Sequence, residues 1–119
     1  MKILVAEDEP ILLRTIELRL KKDGHEVIAT ADGREALARI SDMGPDLIIA
    51  DIMMPFVSGL EIVGAVKKGA RNIPIIILSA MEQENVVLEA FQLGADDYMT
   101  KPFSLNELSV RVRKFGFKK

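Results

Sequence analysis

A chain of 119 residues, 49% hydrophobic and 29% charged, has room for one globular core and not for two. Its formal net charge of −2 gives no electrostatic footing for nucleic acid or an anionic membrane, and the lack of cysteine excludes disulfides, thiolate zinc sites and cysteine nucleophiles. Only four apolar residues separate Lys2 from Glu7 and no apolar run nears membrane-spanning length, so the expectation is a soluble, cytoplasmic protein without a membrane partner.

Ile3-Leu4-Val5-Ala6 reads as a first buried strand that ends in Glu7-Asp8-Glu9. Pro10 suits the first turn of a helix, with Asp8 or Glu9 as its cap, and Leu12, Leu13, Ile16 and Leu20 recur at helical spacing through Lys22. Gly24 stops that helix, and His25 in the turn Gly24-His25-Glu26 reads as surface punctuation. Val27-Ile28-Ala29 makes a short second strand. Asp32-Gly33 opens a second helix that buries Ala36, Leu37 and Ile40 and breaks at Gly44-Pro45.

The stretch Leu47-Ile48-Ile49-Ala50-Asp51 is a third strand, short and apolar enough to be buried on both faces, with Pro55 forbidding its continuation. Ser58-Gly59 starts a third helix carrying Leu60, Val63 and Val66, closed by Lys67, Lys68 and Gly69. Ile73 to Leu78 is the fourth strand, ending at Ser79. A fourth helix runs from about Glu82 to Leu93 with Gly94 as its cap, and Asp97-Tyr98-Met99-Thr100 is a short fifth strand. Ser104 with Glu107 three residues on predicts a capping box, opening a fifth helix that carries Leu105, Leu108 and Val112. Five alternations of strand and helix predict an α/β fold, a doubly wound parallel sheet covered by helices on both faces.

In that architecture every strand opens at its carboxyl end onto one edge of the sheet, where such folds gather functional groups. Glu7 and Asp8, Asp51, Ser79 and Lys101 all fall there. Singly, each has a plainer reading: a helix cap, a turn aspartate, a loop hydroxyl, a solvated lysine. Together they specify more. Three gathered carboxylates repel unless a cation shares them, and oxygen ligands of this kind suit Mg²⁺. A lysine opposite the metal, with a hydroxyl between, makes a place for a dianionic phosphoryl group in transit to a carboxylate nucleophile.

The motifs Ile3-Leu4-Val5-Ala6-Glu7-Asp8-Glu9, Leu47 through Pro55, Ser58-Gly59, Leu78-Ser79-Ala80, and Gly94-Ala95-Asp96-Asp97-Tyr98 through Lys101-Pro102-Phe103 resemble, in this order and spacing, the receiver domain of two-component response regulators. The resemblance covers residues 1–119 as a single receiver domain. It implies the flavodoxin-like, chemotaxis-receiver-like fold: a five-stranded parallel sheet of order 2-1-3-4-5 in three α/β/α layers. It implies that Asp51 accepts a phosphoryl group from a phosphohistidine of a sensor histidine kinase or histidine phosphotransfer protein. Glu7 and Asp8 match the acidic pair that holds Mg²⁺ with Asp51, Met53 would add a backbone carbonyl, and Lys101 would contact the phosphoryl oxygens. The Lys101-Pro102 bond would be cis. Ser79 and Tyr98 match the switch pair, the hydroxyl moving to the phosphoryl group and the ring swinging inward behind it. Met53 and Met81 match the variable sites flanking the pocket; apolar there, they cannot orient water, which implies slow self-dephosphorylation.

The last third resembles receivers that precede a winged-helix DNA-binding domain. In that subclass the fourth helix, fifth strand and fifth helix form a homodimer face laced with ion pairs. Asp97 and Arg111 match one such pair and Glu107 an acidic member, but Val87 stands where the basic partner of Glu107 is expected and Gln92 where an acid is. Val86, Val87, Leu88, Ala90 and Phe91 cannot all face the core of one helix, so part of that helix is expected to lie exposed. The stretch from Phe115 to Lys119 contains no output domain, so DNA would be reached only through a domain absent from this chain. Three other classes fit less well. A phosphohydrolase needs a second acid where Met53 stands. An unphosphorylated module of the same fold would lack one of the acids or Lys101. A flavodoxin-like cofactor binder would need a Ser/Thr/Gly-rich phosphate loop after the first strand. Turnover of external substrate is not expected.

Overall fold

The computed structural model describes residues 1–69 and 71–116, and in it the apolar runs form strands and the amphipathic stretches helices, in strict alternation. The elements are β1 (Lys2–Ala6), α1 (Pro10–Lys22), β2 (Glu26–Thr30), α2 (Gly33–Met43), β3 (Leu47–Asp51), α3 (Gly59–Lys67), β4 (Ile75–Ser79), α4 (Glu84–Leu93), β5 (Asp97–Thr100) and α5 (Leu105–Gly116). Every strand pair is parallel and the order is β2-β1-β3-β4-β5, as the resemblance implied. No helix among the described residues is long and apolar enough to cross a membrane.

Alternate residues of each strand feed two separate cores. Leu4, Ala6, Ile48, Ala50, Ile75 and Ile77 pack with Ala36, Ile62, Val63, Val66 and Ala90 of α2, α3 and α4. Ile3, Val5, Leu47, Ile49, Ile76 and Leu78 pack with Ile16, Leu20, Leu108, Val112 and Phe115 of α1 and α5. This two-sided burial is why the strands read as continuous apolar runs rather than alternating ones. The register sets Ala6 beside Ala50, Asp51 beside Leu78 and Ser79 beside Thr100. Glu7, Asp51, Ser79 and Lys101 therefore leave the sheet in a row.

The helix boundaries differ from the sequence expectation in instructive places. β4 begins at Ile75, because Pro74 has no N–H to give the ladder, though its carbonyl accepts from Ile48 N–H at 3.0 Å. α4 begins at Glu84, not near Glu82, with Gln83 at its cap position and no side-chain cap there. Glu9 occupies the cap position of α1 but its side chain caps nothing; the carboxylate that accepts the Glu9 N–H is Glu7, at 3.1 Å. The full capping box forms at Ser58 and Glu61 on α3. At α5 only half of it forms: Ser104 Oγ accepts from Glu107 N–H at 3.0 Å, while the Glu107 carboxylate pairs with Arg111 at 3.1 Å. His25 is half-buried, 3.0 Å from the Met1 amino group, and burial holds its imidazole below the usual range. Phe117, Lys118 and Lys119 lie outside the described residues.

α1 and α5, which share the second core, are also tied by a polar contact. Asp23, the C-cap of α1, accepts from buried Ser109 Oγ at 2.5 Å and lies 3.4 Å from Arg19 Nε. That hydrogen bond, with Arg19 beside it, holds the Asp23 carboxyl below its ordinary value. A depressed carboxylate contributes stability above its unfolded pKa and loses it as pH falls through the folded value. Asp23→Ala should therefore cost about 1–2 kcal/mol near neutrality. In denaturant titrations from about pH 7 to about pH 3, the gap from the parent should narrow. A gap that stays constant across that range would show that the charge contributes nothing.

Candidate functional site

The strand ends build the site in the order that the sheet dictates. β1 delivers Glu7, which is fully buried, and Asp8, which is exposed. Thr30 at the end of β2 supports this turn: its carbonyl accepts the Glu7 N–H at 3.1 Å, and its hydroxyl donates to Val5 O at 2.9 Å. β3 delivers Asp51, nearly buried, whose Oδ1 accepts from Met53 N–H at 3.2 Å. Lys101, just past β5, reaches back over this edge. Its Nζ lies 2.6 Å from Asp51 Oδ2 and 2.9 Å from Glu7 Oε1. One ammonium thus bridges two buried carboxylates.

Burial pushes the Glu7 carboxyl up, and the hydrogen bond from Lys101 only partly offsets that. Burial also works against the Lys101 ammonium, but the hydrogen bonds to Asp51 and Glu7 outweigh it, so its pKa is raised and its charge secure. Oxygen atoms of Glu7, Asp8 and Asp51 all lie within 4.8 Å of one another. Three hard oxygen donors, with no nitrogen or sulfur ligand among them, fit a small divalent cation such as Mg²⁺. The residues present therefore suit the metal that the sequence implied.

Ser79 ends β4, buried, its Oγ accepting from Met81 N–H at 3.0 Å, and its carbonyl accepts the Lys101 N–H at 2.8 Å. Tyr98 on β5 is half-buried against the α4-side core, and its hydroxyl donates to Met81 O at 2.7 Å. Serine, tyrosine and the loop after β4 are thus coupled through the two backbone groups of Met81. The Lys101-Pro102 peptide is cis. Met53 exposes 61% of its surface, whereas Met81 is half-buried against the core.

Asp97, Glu107 and Arg111 meet within one chain. Arg111 lies 2.7 Å from Asp97 Oδ1 and 3.1 Å from Glu107 Oε2, while Asp97 Oδ2 is buried without a hydrogen-bond partner. α4 buries Ala90, half-buries Val86 and Val87, and leaves Leu88 and Phe91 exposed, as its crowded apolar pattern required.

Two contacts at the site were invisible to sequence reasoning. A Cβ on Gly59 would lie 2.3 Å from the Asp51 carbonyl oxygen, so this glycine lets α3 start directly against the strand that carries Asp51. A Cβ on Gly33 would lie 2.0 Å from the carbonyl oxygen of Val57, in the loop after β3. The available signal was a glycine at the first helical position, where propensity gives no reason for one.

The geometry has relatives. Residues 3–113 match the family model described as response regulator receiver domain. The alkaline phosphatase synthesis transcriptional regulatory protein PhoP of Bacillus subtilis is 39% identical over 112 residues, covering 94% of this chain and 47% of that protein. The transcriptional regulatory protein TrcR of Mycobacterium tuberculosis is 40% identical over 113 residues, covering 95% of this chain and 44% of that protein. The chain thus spans a little under half the length of these curated relatives. Among solved structures, the Francisella response regulator 1452 receiver domain superposes with a TM-score of 0.94 at 36% identity, covering 99% of this chain and 98% of that one. With the family model spanning nearly all of the sheet and its helices, the chain belongs to the receiver domain family of response regulators.

Proposed function

We propose that residues 1–119 act as one receiver unit in which Asp51 is the phosphoacceptor, and that the phosphoryl donor is a phosphohistidine of a sensor histidine kinase or phosphotransfer protein. One observation carries this reading: Lys101 joins Glu7 and Asp51 at the carboxyl edge of the sheet, with Asp8 close enough to complete a cation site. Glu7, Asp8 and Asp51, with the backbone carbonyl of Met53, would hold Mg²⁺, which when bound offsets negative charge on the phosphoryl oxygens. A carboxylate oxygen of Asp51 forms the new O–P bond as the donor's N–P bond breaks, and the leaving imidazole takes a proton from solvent. Lys101, already at Asp51, follows the incoming phosphoryl oxygens.

Ser79 and Tyr98 report the event. Ser79 Oγ, which accepts from Met81 N–H, would donate its O–H to a phosphoryl oxygen and shift toward it, and the Tyr98 hydroxyl ties the same Met81 backbone to β5. The switch thus shifts an equilibrium of the loop between β4 and α4. No external substrate is turned over, because exposed Met53 supplies no second acid beside Asp51. Met53 and Met81 leave the aspartyl phosphate without a side chain to orient water, which supports a long phosphoryl lifetime. The α4, β5 and α5 face, with Val87, Asp97, Glu107 and Arg111, is the proposed homodimer surface. The relatives' names as transcriptional regulators support DNA control through an output domain outside these residues, in the cytoplasm where such donors work.

Intact mass after incubation with acetyl phosphate and Mg²⁺ tests the reading. The parent should gain one phosphoryl group, Asp51→Asn and a chelated sample none, and the added mass should persist once donor is removed. Retention of the gain in Asp51→Asn would sink the assignment, and so would its absence in a parent that binds Mg²⁺.

A further inference from the structure

Phe56, in the loop between β3 and α3, has a φ of 71°, a left-handed value found at no other non-glycine position among the described residues. An aromatic residue there is strained, because its Cβ crowds the adjoining backbone. The Val57 N–H donates to Pro55 O at 2.8 Å, two residues back, so Phe56 is the centre of a γ-turn of the rare positive-φ kind. Burial does not hold it there, for Phe56 is 66% exposed.

What lies against the ring is Arg34. Its guanidinium sits 3.5 Å from the ring centroid, from the second position of α2. Gly33 beside it is pressed onto the Val57 backbone. Met54 and Val57 pack against the core, and Gly59 N–H donates to Ile52 O at 3.1 Å, closing the loop on itself. The loop is therefore pinned at its far side by α2 and at its near side by Asp51, whose Oδ1 takes the Met53 N–H. A glycine at position 56 would make the same turn without strain. Phenylalanine adds a face for the guanidinium, and that contact fixes which turn is made.

We infer that Arg34 and Phe56 are positioning residues for the acidic site: their stack holds the γ-turn that sets the Met53 backbone beside Asp51 for a divalent cation. The inference rests on the Mg²⁺ reading of Glu7, Asp8 and Asp51. Calorimetric titration with MgCl₂, alongside thermal unfolding in chelator, tests it on the parent and four variants. Arg34→Ala and Phe56→Ala should weaken Mg²⁺ binding about three- to tenfold, while Phe56→Tyr, which keeps the stack, binds as the parent does. Phe56→Gly should unfold at a higher temperature in chelator yet lose the same affinity, separating the turn from the clamp. Parent-like affinity in Arg34→Ala, Phe56→Ala or Phe56→Gly would overturn the inference while leaving the metal site standing. A parent that binds no Mg²⁺ would overturn both.

Discussion

Lys101→Ala should lose about 3–5 kcal/mol of folding stability in chelator, the cost of stranding buried charge when its partner is removed. Lys101 is the cation that Glu7 and Asp51 share, at 2.9 and 2.6 Å, and both carboxylates are buried. Without it they face each other in a poorly solvated site. Added Mg²⁺ should restore much of that loss in the variant and far less in the parent, where lysine already compensates the acids. Phosphorylation by acetyl phosphate should also fall by about 10²–10³-fold, as it does when one fixed donor to a developing charge is lost. Equilibrium denaturation with and without Mg²⁺ reads the first effect and time-resolved intact mass the second. A variant as stable as the parent in chelator would show that the bridge contributes nothing net to the fold.

Gly59→Ala is the second large effect, and its sign is the informative part. Inside a helix, glycine to alanine ordinarily stabilises by up to about 1 kcal/mol. Here the new methyl would stand 2.3 Å from the Asp51 carbonyl oxygen and 2.8 Å from its carbon, both backbone atoms of a strand paired on each side. α3 cannot rotate away cheaply, since Ser58 and Glu61 lock its first turn and Ile62, Val63 and Val66 hold it in the core. The expected cost is about 3 kcal/mol, at the upper end for overpacking, together with slower phosphorylation as Asp51 is pushed out of place. Gly64→Ala on the same helix, with nothing within 4 Å of the added methyl, should instead gain about 0.5–1 kcal/mol. Thermal unfolding of the pair decides the matter: equal shifts would deny the close approach at Gly59.

What the sequence made legible follows from how parallel sheets are built. Strands buried on both faces are short unbroken apolar runs, so β1, β3 and β4 stood out, and the chemistry at their ends could be placed on one edge before any distance was known. Local punctuation did less well. Pro74 looked tolerable within β4 but moved its start to Ile75, and Asp8 or Glu9 was expected to cap α1, whereas Glu9 takes the cap position with no side-chain hydrogen bond. The capping box expected at Ser104 formed only halfway, because Arg111 one turn on competes for Glu107, while a full box that sequence reasoning had not singled out formed at Ser58 and Glu61. Contacts between segments far apart in the chain have no local signature. The Gly33 approach to Val57 and the Arg34 stack on Phe56 are of this kind.

α4 carries a consequence for the native ensemble. Only Ala90 of that helix is fully buried, its first turn has no side-chain cap, and Leu88, Phe91 and Leu93 contribute exposed rather than packed surface. β3 is the opposite case, with five buried residues hydrogen-bonded to neighbours on both sides. Amide protons of β3 should exchange with solvent only when the whole molecule unfolds, and those of α4 through small, frequent openings. The loop that leads into this helix is tied to Ser79 through Met81 N–H and to β5 by the Tyr98 hydroxyl on Met81 O. On the proposed reading of Asp51 as phosphoacceptor, the added group would work against a weakly held part of the molecule, and a free energy far below that of global unfolding would be enough to reseat it.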